Sequence, residues 1–117
     1  MTWQEHHERM AFMADVIERA AENPEAALDF NGRMPDVQRL FGSEDGLLLS
    51  LRQRWLTALT ARLDDDVHAE QARTELAARE PGLRALLDTA ARRSVRVRGL
   101  QRDEQDIVDP FGEQTVA

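Results

Sequence analysis

The chain has 117 residues, which suffices for one domain with a hydrophobic core and is too short for two. It contains no cysteine, which excludes disulfide scaffolds, thiolate metal sites and cysteine nucleophiles. Its formal net charge of -7 opposes non-specific binding to nucleic acid and to anionic membranes.

Hydrophobic residues make up 42% of the chain and charged residues 32%, as in an ordinary soluble globular domain. All 15 basic residues are arginine, a bias that, together with abundant alanine, is typical of bacteria with GC-rich genomes. No apolar run is long enough to span a membrane, and the N-terminus lacks the basic and apolar stretches of a signal peptide. We therefore expect a cytoplasmic protein.

The first predicted helix extends from Trp3 to about Glu22. Thr2 and Glu5 have the spacing of a capping box, in which each side chain satisfies a free backbone N–H at the helix start. Helical periodicity assigns six residues to the inward face: Trp3, Met10, Met13, Ala14, Ile17 and Ala21. His6 falls on that face, where we expect a histidine at the edge of the core and not a metal ligand.

Phe12 points away from this predicted inward face. One interpretation is that another part of the chain covers it, since single exposed apolar residues are common. The other is that it belongs to a second packing surface, such as a contact between subunits. Phe12 is therefore a candidate interaction residue.

Two short helices are predicted next. Asn23 is a favourable N-cap and Pro24 suits the first helical position, which predicts a helix from Pro24 to Asp29. A second short helix is predicted to begin near Met34 and to end at Gly42, because glycine favours a helix C-terminus.

The densest apolar segment of the chain predicts a central helix, against which the other helices pack, ending near Leu63. Ser43 is its predicted N-cap, and Glu44 and Asp45 complement the positive end of the helix dipole. Its inward stripe contains Leu48, Leu51, Trp55, Leu59 and Leu63, widened by Leu49 and Leu56. Gly46 is unfavourable here, because glycine inside a helix costs about 1 kcal/mol relative to alanine.

Arg52 projects into the middle of this apolar stripe. Three interpretations remain open: its stem lies over the core while the guanidinium reaches water, it pairs with a carboxylate of another helix, or it binds an anion. Trp55 lies one turn further on, within stacking reach of the guanidinium, and its expected role is core packing.

Two further helices are predicted over residues 68–79 and 81–99, with Gly99 as the end of the second. The inward faces contain Ala69, Ala72 and Leu76 in the first helix and Leu83, Leu86, Leu87, Ala90, Ser94 and Val97 in the second. Residues 94–98 also fit a short strand, although no partner strand is visible. We interpret Asp64 to Asp66 as a solvated helix start; the alternative is half of a hard-metal site.

Two blocks of opposite charge close the chain. The basic block contains Arg92, Arg93, Arg96, Arg98 and Arg102, and the acidic block contains Asp103, Glu104, Asp106, Asp109 and Glu113. Three interpretations of the basic block remain open. The arginines complement the dipole of a helix, they pair with the acidic tail or with Asp64 to Asp66, or they bind phosphate groups. Residues 1–100 are predicted to form a single helical domain and 101–117 a loosely structured acidic tail, whose Phe111 is a second candidate interaction residue.

The sequence contains no nucleophile elbow, no phosphate-binding glycine loop and no zinc-binding histidine motif. The predicted fold is all-α, a compact irregular bundle of about four to five helices. The favoured function is a non-enzymatic protein-interaction or regulatory module without cofactor or metal, whose partner is another protein or a second copy of the chain. The alternative is a binder of a small anionic ligand or nucleotide through Arg52 and the cluster of Arg92, Arg93, Arg96 and Arg98.

Overall fold

The structure, a computed structural model, describes residues 2–63 and 68–108, the last five of them as helical backbone alone. Every regular element within these ranges is a helix. The seven helices are α1 (Trp3–Glu22), α2 (Pro24–Ala27), α3 (Met34–Phe41), α4 (Glu44–Leu63), α5 (Ala69–Arg79), α6 (Pro81–Arg93) and α7 (Val95–Val108). The all-α fold class is confirmed, and the predicted number of four to five helices is too low.

Short polar side chains set the starts of three helices. Thr2 Oγ1, Asn23 Oδ1 and Ser43 Oγ each accept a hydrogen bond from the backbone N–H three residues later, at 3.1, 3.2 and 3.0 Å. These contacts satisfy N–H groups that have no partner inside the helix. Gly42, the C-cap of α3, has a φ of 81°, a conformation that glycine adopts without steric cost. The four predicted helix boundaries at these residues are confirmed.

Ser94 divides the last predicted helix in two. Its backbone is extended, with φ -119° and ψ 118°, and its Oγ accepts a hydrogen bond from Val97 N at 3.3 Å. The same hydroxyl donates to Asp45 Oδ1, also at 3.3 Å, at the start of α4. The prediction of one helix over residues 81–99 is therefore wrong, because Ser94 ends α6, caps α7 and ties the break to α4.

α7 continues through Gly99 to Val108, so the predicted helix end at Gly99 and the strand alternative for residues 94–98 are both wrong. Residues 101–108, predicted as part of a loose tail, are helical. Residues 64–67 and 109–117, which include Asp64 to Asp66 and Phe111, lie outside the described residues. The division into a domain and a tail at residue 100 stays a prediction.

α4 and α6 share the centre of the fold. α4 packs against α3, α5, α6 and α7, whereas α6 packs against α1, α2, α4, α5 and α7. The largest fully buried side chains are Trp55, Leu47, Leu48, Leu51, Leu83, Leu86, Leu87, Val16, Val37 and Val97. The predicted inward stripes of α4 and α6 thus supply most of the core, and burying them provides the main driving force for folding.

The close approach of α3 and α4 explains why glycine occupies position 46, which helix propensity alone does not explain. A Cβ atom built at this position would collide with the carbonyl oxygen of Phe41, in the tight connection between α3 and α4. Glycine therefore lets the two helices meet closely at this corner. The lost helix propensity, about 1 kcal/mol, is smaller than the cost of opening that corner.

Candidate protein-interaction site

α1 carries apolar residues on two faces, and the structure buries mainly the one that the sequence did not assign to the core; Met13 is the buried residue of the predicted inward face. The buried residues are Phe12, Met13, Val16 and Ala20. The ring centroid of Phe12 lies 6.3 Å from that of Phe30 and 5.7 Å from that of Phe41, and the Arg33 guanidinium lies 4.3 Å from it. Phe12 is only 8% exposed, so its assignment to an exposed interaction surface is wrong.

Of the six residues predicted to face inward on α1, Met13 is buried and Ile17 is half-buried, whereas the other four are exposed. Towards the C-terminal end of α1, Ile17 and Ala21 lie against Gly82 at the start of α6. Towards the N-terminal end, Trp3 is 75% exposed, Met10 is 41% exposed, and Ala14 is exposed as well. We call the residues Trp3, Met10 and Ala14 the open face of α1.

Histidines adjoin Trp3 on the surface. The Trp3 ring stacks at 6.3 Å from the ring of His6 and meets the ring of His7 edge-on at 4.6 Å. All three side chains are exposed, so the expectation that His6 lies at the edge of the core is wrong. These contacts pre-order Trp3, which lowers the entropy lost when another surface packs against it.

A groove with an apolar floor runs between α1 and the second half of α4, next to the open face. α1 packs mainly on α6, α2 and α3 and does not follow α4 closely, which leaves the space between them. Met10 and Met13 of α1 and Ala58 and Ala61 of α4 line the groove, whose volume is about 520 Å³. Its polar lining consists of Ser50, Gln53 and Thr57. We call this space the α1–α4 groove.

Among the described residues, the two charged side chains that line the α1–α4 groove are both arginines, although the chain has 22 acidic residues against 15 basic ones. Arg9 Nη2 donates a hydrogen bond to Ser50 Oγ at 3.3 Å, and its guanidinium lies 5.1 Å from the ring centroid of Phe41. Arg54 is half-buried and makes no ion pair with any described residue. The groove therefore combines an apolar floor with positive charge.

Glu8, an acidic neighbour of Arg9 in the sequence, is bound elsewhere. Its Oε2 accepts a hydrogen bond from Arg39 Nη2 at 2.7 Å, and Asp36 Oδ1 accepts one from the same nitrogen at 3.2 Å. The hydrogen bond to Glu8, followed by that to Asp36, raises the pKa of Arg39 above its usual value. Glu8 thus links α1 to α3, and none of the described residues that line the groove is acidic.

Arg52 binds a backbone carbonyl and makes no ion pair with a carboxylate among the described residues. Its Nη2 donates a hydrogen bond to Leu100 O of α7 at 2.9 Å, while its half-buried stem lies along α4. The buried Nε has no hydrogen-bond partner among the described residues. Arg52 lies outside the α1–α4 groove, and its contact with α7 identifies it as a residue that holds two helices together.

Replacing Arg52 by alanine should lower the free energy of unfolding by about 1–2 kcal/mol, since it removes a hydrogen bond from a charged donor together with buried stem contacts. Urea denaturation measures the loss, and faster amide hydrogen exchange confined to α7 would locate it. Arg96→Ala is the matched control: Arg96 is exposed and makes no ion pair with a described residue, so we expect a change within about 0.5 kcal/mol. Equal stability of the two variants would contradict this role for Arg52.

Three arginines of the predicted cluster bind other residues of the same chain. Arg93 Nη1 donates to Leu28 O at 3.0 Å, Arg98 Nε donates to Ala91 O at 3.0 Å, and Arg92 Nη2 pairs with Glu25 Oε1 at 3.3 Å. The arginines therefore cap carbonyls at the end of α6 and attach α2 to it. Dipole complementation, one of the interpretations of this block, fits these contacts.

A second cavity, of about 610 Å³, lies beside α2 and is lined by Arg93 together with Glu25, Asp29 and Glu44. Its acidic residues outnumber the single arginine, and Arg52 is not part of its lining. The predicted anion-binding residues Arg52 and Arg93 are therefore not brought together in this cavity. Within residues 2–63 and 68–108, no group of three or more His, Asp or Glu side chains is placed to hold a metal ion.

The groove residues Arg54, Ala58 and Ala61 were missed from the sequence because they lie outside the leucine stripe of α4. The signal available was in α1, where apolar residues recur on both sides of the helix. A surface helix ordinarily has one apolar face, so two such faces imply two neighbours. The described residues fully cover only one of these two apolar faces of α1.

No protein-family model matches the sequence, and neither a curated protein nor a solved structure shows significant similarity to it. None of the described helices is both long and apolar enough to cross a lipid bilayer.

Proposed function

We propose that the chain is a non-enzymatic protein-interaction or regulatory module that binds its partner on the open face of α1 and in the α1–α4 groove. The observation that carries this proposal is the position of Trp3 and Met10, two exposed large apolar side chains, beside an apolar groove. Tryptophan and methionine are enriched where proteins bind one another, and an apolar patch beside a groove is typical of such surfaces.

The packing of α1 against α6 supports the same proposal. The C-terminal part of the predicted inward face lies against α6 at Gly82, where Ile17 is half-buried, so this face is suited to helix packing. A partner that covers Trp3, Met10 and Ala14 would extend the contact that α6 begins. Partner binding would then bury apolar surface that folding of the single chain leaves in water.

The alternative from the sequence, a small anionic ligand held by the arginine cluster, stays a prediction. The guanidinium groups of Arg93 and Arg98 are engaged with backbone carbonyls, and Arg92 pairs with Glu25. A ligand would have to compete with these contacts. This competition favours the interaction module over the ligand binder.

Affinity purification of the tagged full-length protein from its native host tests the proposal. Trp3→Asp should remove a stoichiometric partner, because it replaces the largest exposed apolar side chain of the proposed contact by a charge. The fold should persist, since aspartate in the first turn of a helix is favourable. Val95→Asp is the matched control, because Val95 is 78% exposed at the start of α7 and is not part of the groove. A partner that both variants retain would contradict the proposal.

A further inference from the structure

We infer that the α1–α4 groove binds an acidic amphipathic helix of a partner protein. This inference rests on the proposed function and names the partner's chemistry. Three properties of the groove carry it: its helical walls, its apolar floor and the sign of its charges.

The walls favour a helical occupant. Both are helices, whose internal backbone hydrogen bonds leave no edge to which an extended peptide could add as a strand, so the ligand must bind through side chains. The lining from Ser50 to Ala61 of α4 spans about 16 Å, or three helical turns. A helix presents apolar residues at positions i, i+3 or i+4 and i+7 over that length, which suits a groove of this form.

The apolar floor of the groove favours an occupant that presents a stripe of apolar side chains of varied shape. Ala58 and Ala61 leave room for large side chains from the occupant, while Met10 and Met13 are flexible enough to fit around them. Trp3 extends this apolar surface at the N-terminal end of α1, seven residues from Met10 and therefore on the same side of the helix. The occupant can pack against both the groove and the open face of α1.

The charges favour carboxylates beside that stripe. Arg9 and Arg54 line the groove and no acidic residue among the described ones does, although the whole chain is acidic. The half-buried guanidinium of Arg54, which has no ion pair with a described residue, gains from a carboxylate, which can accept two of its N–H groups at once. A basic helix would bring like charges together in a site that water only partly screens. An acidic flank is therefore the complementary choice.

A second copy of the chain is a poorer occupant by the same criterion. If it presented its own open face, the side chains entering the groove would be Trp3, Met10 and Ala14, with the exposed Glu18 on one flank. The other flank carries Arg9, which would bring like charge towards the groove. The chemistry of the groove thus favours a different protein.

Two designed helical peptides of about 18 residues, or five turns, test the inference. Both carry the same leucine stripe, flanked by glutamates in one peptide and by lysines in the other. Isothermal titration of each peptide into the full-length chain should give micromolar binding of the glutamate peptide and binding about tenfold weaker, or weaker still, for the lysine peptide. Equal binding of the two peptides, or binding of neither, would overturn the inference.

Variants of the full chain locate the site. Arg54→Ala should weaken binding of the glutamate peptide about fivefold or more, and Ala58→Trp, which fills the groove, should abolish it. Arg96→Ala is the matched control and should leave the affinity unchanged, because Arg96 is an exposed arginine of α7 outside the groove. Equal effects of Arg54→Ala and Arg96→Ala would mean that peptide binding depends only on the net charge of the protein. This result would contradict the assignment of the binding site to the α1–α4 groove.

The other occupants would show distinct results. A self-dimer in sedimentation equilibrium that Ala58→Trp dissociates would assign the groove to a second copy and overturn the inference. A large gain in peptide affinity on Phe111→Ala in the full chain would assign it to the chain's own C-terminal segment and overturn it as well. If Trp3→Asp removes the native partner while the two peptides bind equally, the inference fails and the proposed function stands; if the native partner remains bound, the proposed function itself fails.

Discussion

Replacing Gly82 by alanine will lower the free energy of unfolding by about 1–3 kcal/mol, although alanine is the better helix former. A Cβ atom at this position would lie 2.5 Å from Ile17 O and 3.3 Å from the Cβ of Ala21. The nearest atom belongs to the backbone of α1, so no side-chain rotation can relieve the contact. α1 and α6 must then move apart and loosen the packing around Val16 and Leu83, both buried.

Gly99→Ala is the matched control for Gly82→Ala. Gly99 lies inside α7, and a Cβ atom there would meet nothing within 4 Å. The helix propensity of alanine should therefore raise the stability by about 0.5–1 kcal/mol. Urea denaturation followed by circular dichroism measures both variants. A Gly82→Ala protein as stable as the unmodified chain would show that α1 and α6 are not packed as closely as described.

The two tryptophans should respond to alanine substitution in opposite ways. Trp55 is fully buried, and the Arg84 guanidinium lies 4.5 Å from its ring centroid. Trp55→Ala should cost about 3–5 kcal/mol, because it removes a large apolar side chain and leaves a cavity. Arg84, whose buried Nη1 already has no hydrogen-bond partner among the described residues, would also lose the aromatic face that covers it.

Trp3→Ala should change the stability by no more than about 0.5 kcal/mol, because Trp3 is exposed on the open face of α1. Chemical denaturation compares it with Trp55→Ala. Since small domains are stable by about 5–15 kcal/mol in total, Trp55→Ala can unfold the chain outright, and Trp55→Phe then provides a milder measure of the same site. Comparable losses for Trp3→Ala and Trp55→Ala would contradict the assignment of Trp3 to a surface contact.

The sequence by itself determined the helices and most of their limits. Thr2, Asn23, Ser43 and Gly42 act on backbone groups within four residues of themselves, so their effect does not depend on the rest of the fold. The leucine stripe of α4 is also predictable from the sequence, because its apolar residues recur at helical spacing from Leu48 to Leu63, over about four turns. The break at Ser94 was missed, since the cap is reinforced by Asp45, which lies 49 residues away.

Only the tertiary structure decided which apolar face of α1 enters the core. Both Phe12 and Met10 are apolar, and Phe12 is the one that is covered, because the rings of Phe30 and Phe41 lie 6.3 and 5.7 Å from it once α3 and the segment before it pack beside α1. The partner of Arg52 was undetermined for the same reason, because the carbonyl of Leu100 becomes available only when α7 packs beside α4. Capping is a local interaction that neighbouring residues define, whereas packing selects among equally apolar faces through contacts between distant parts of the chain.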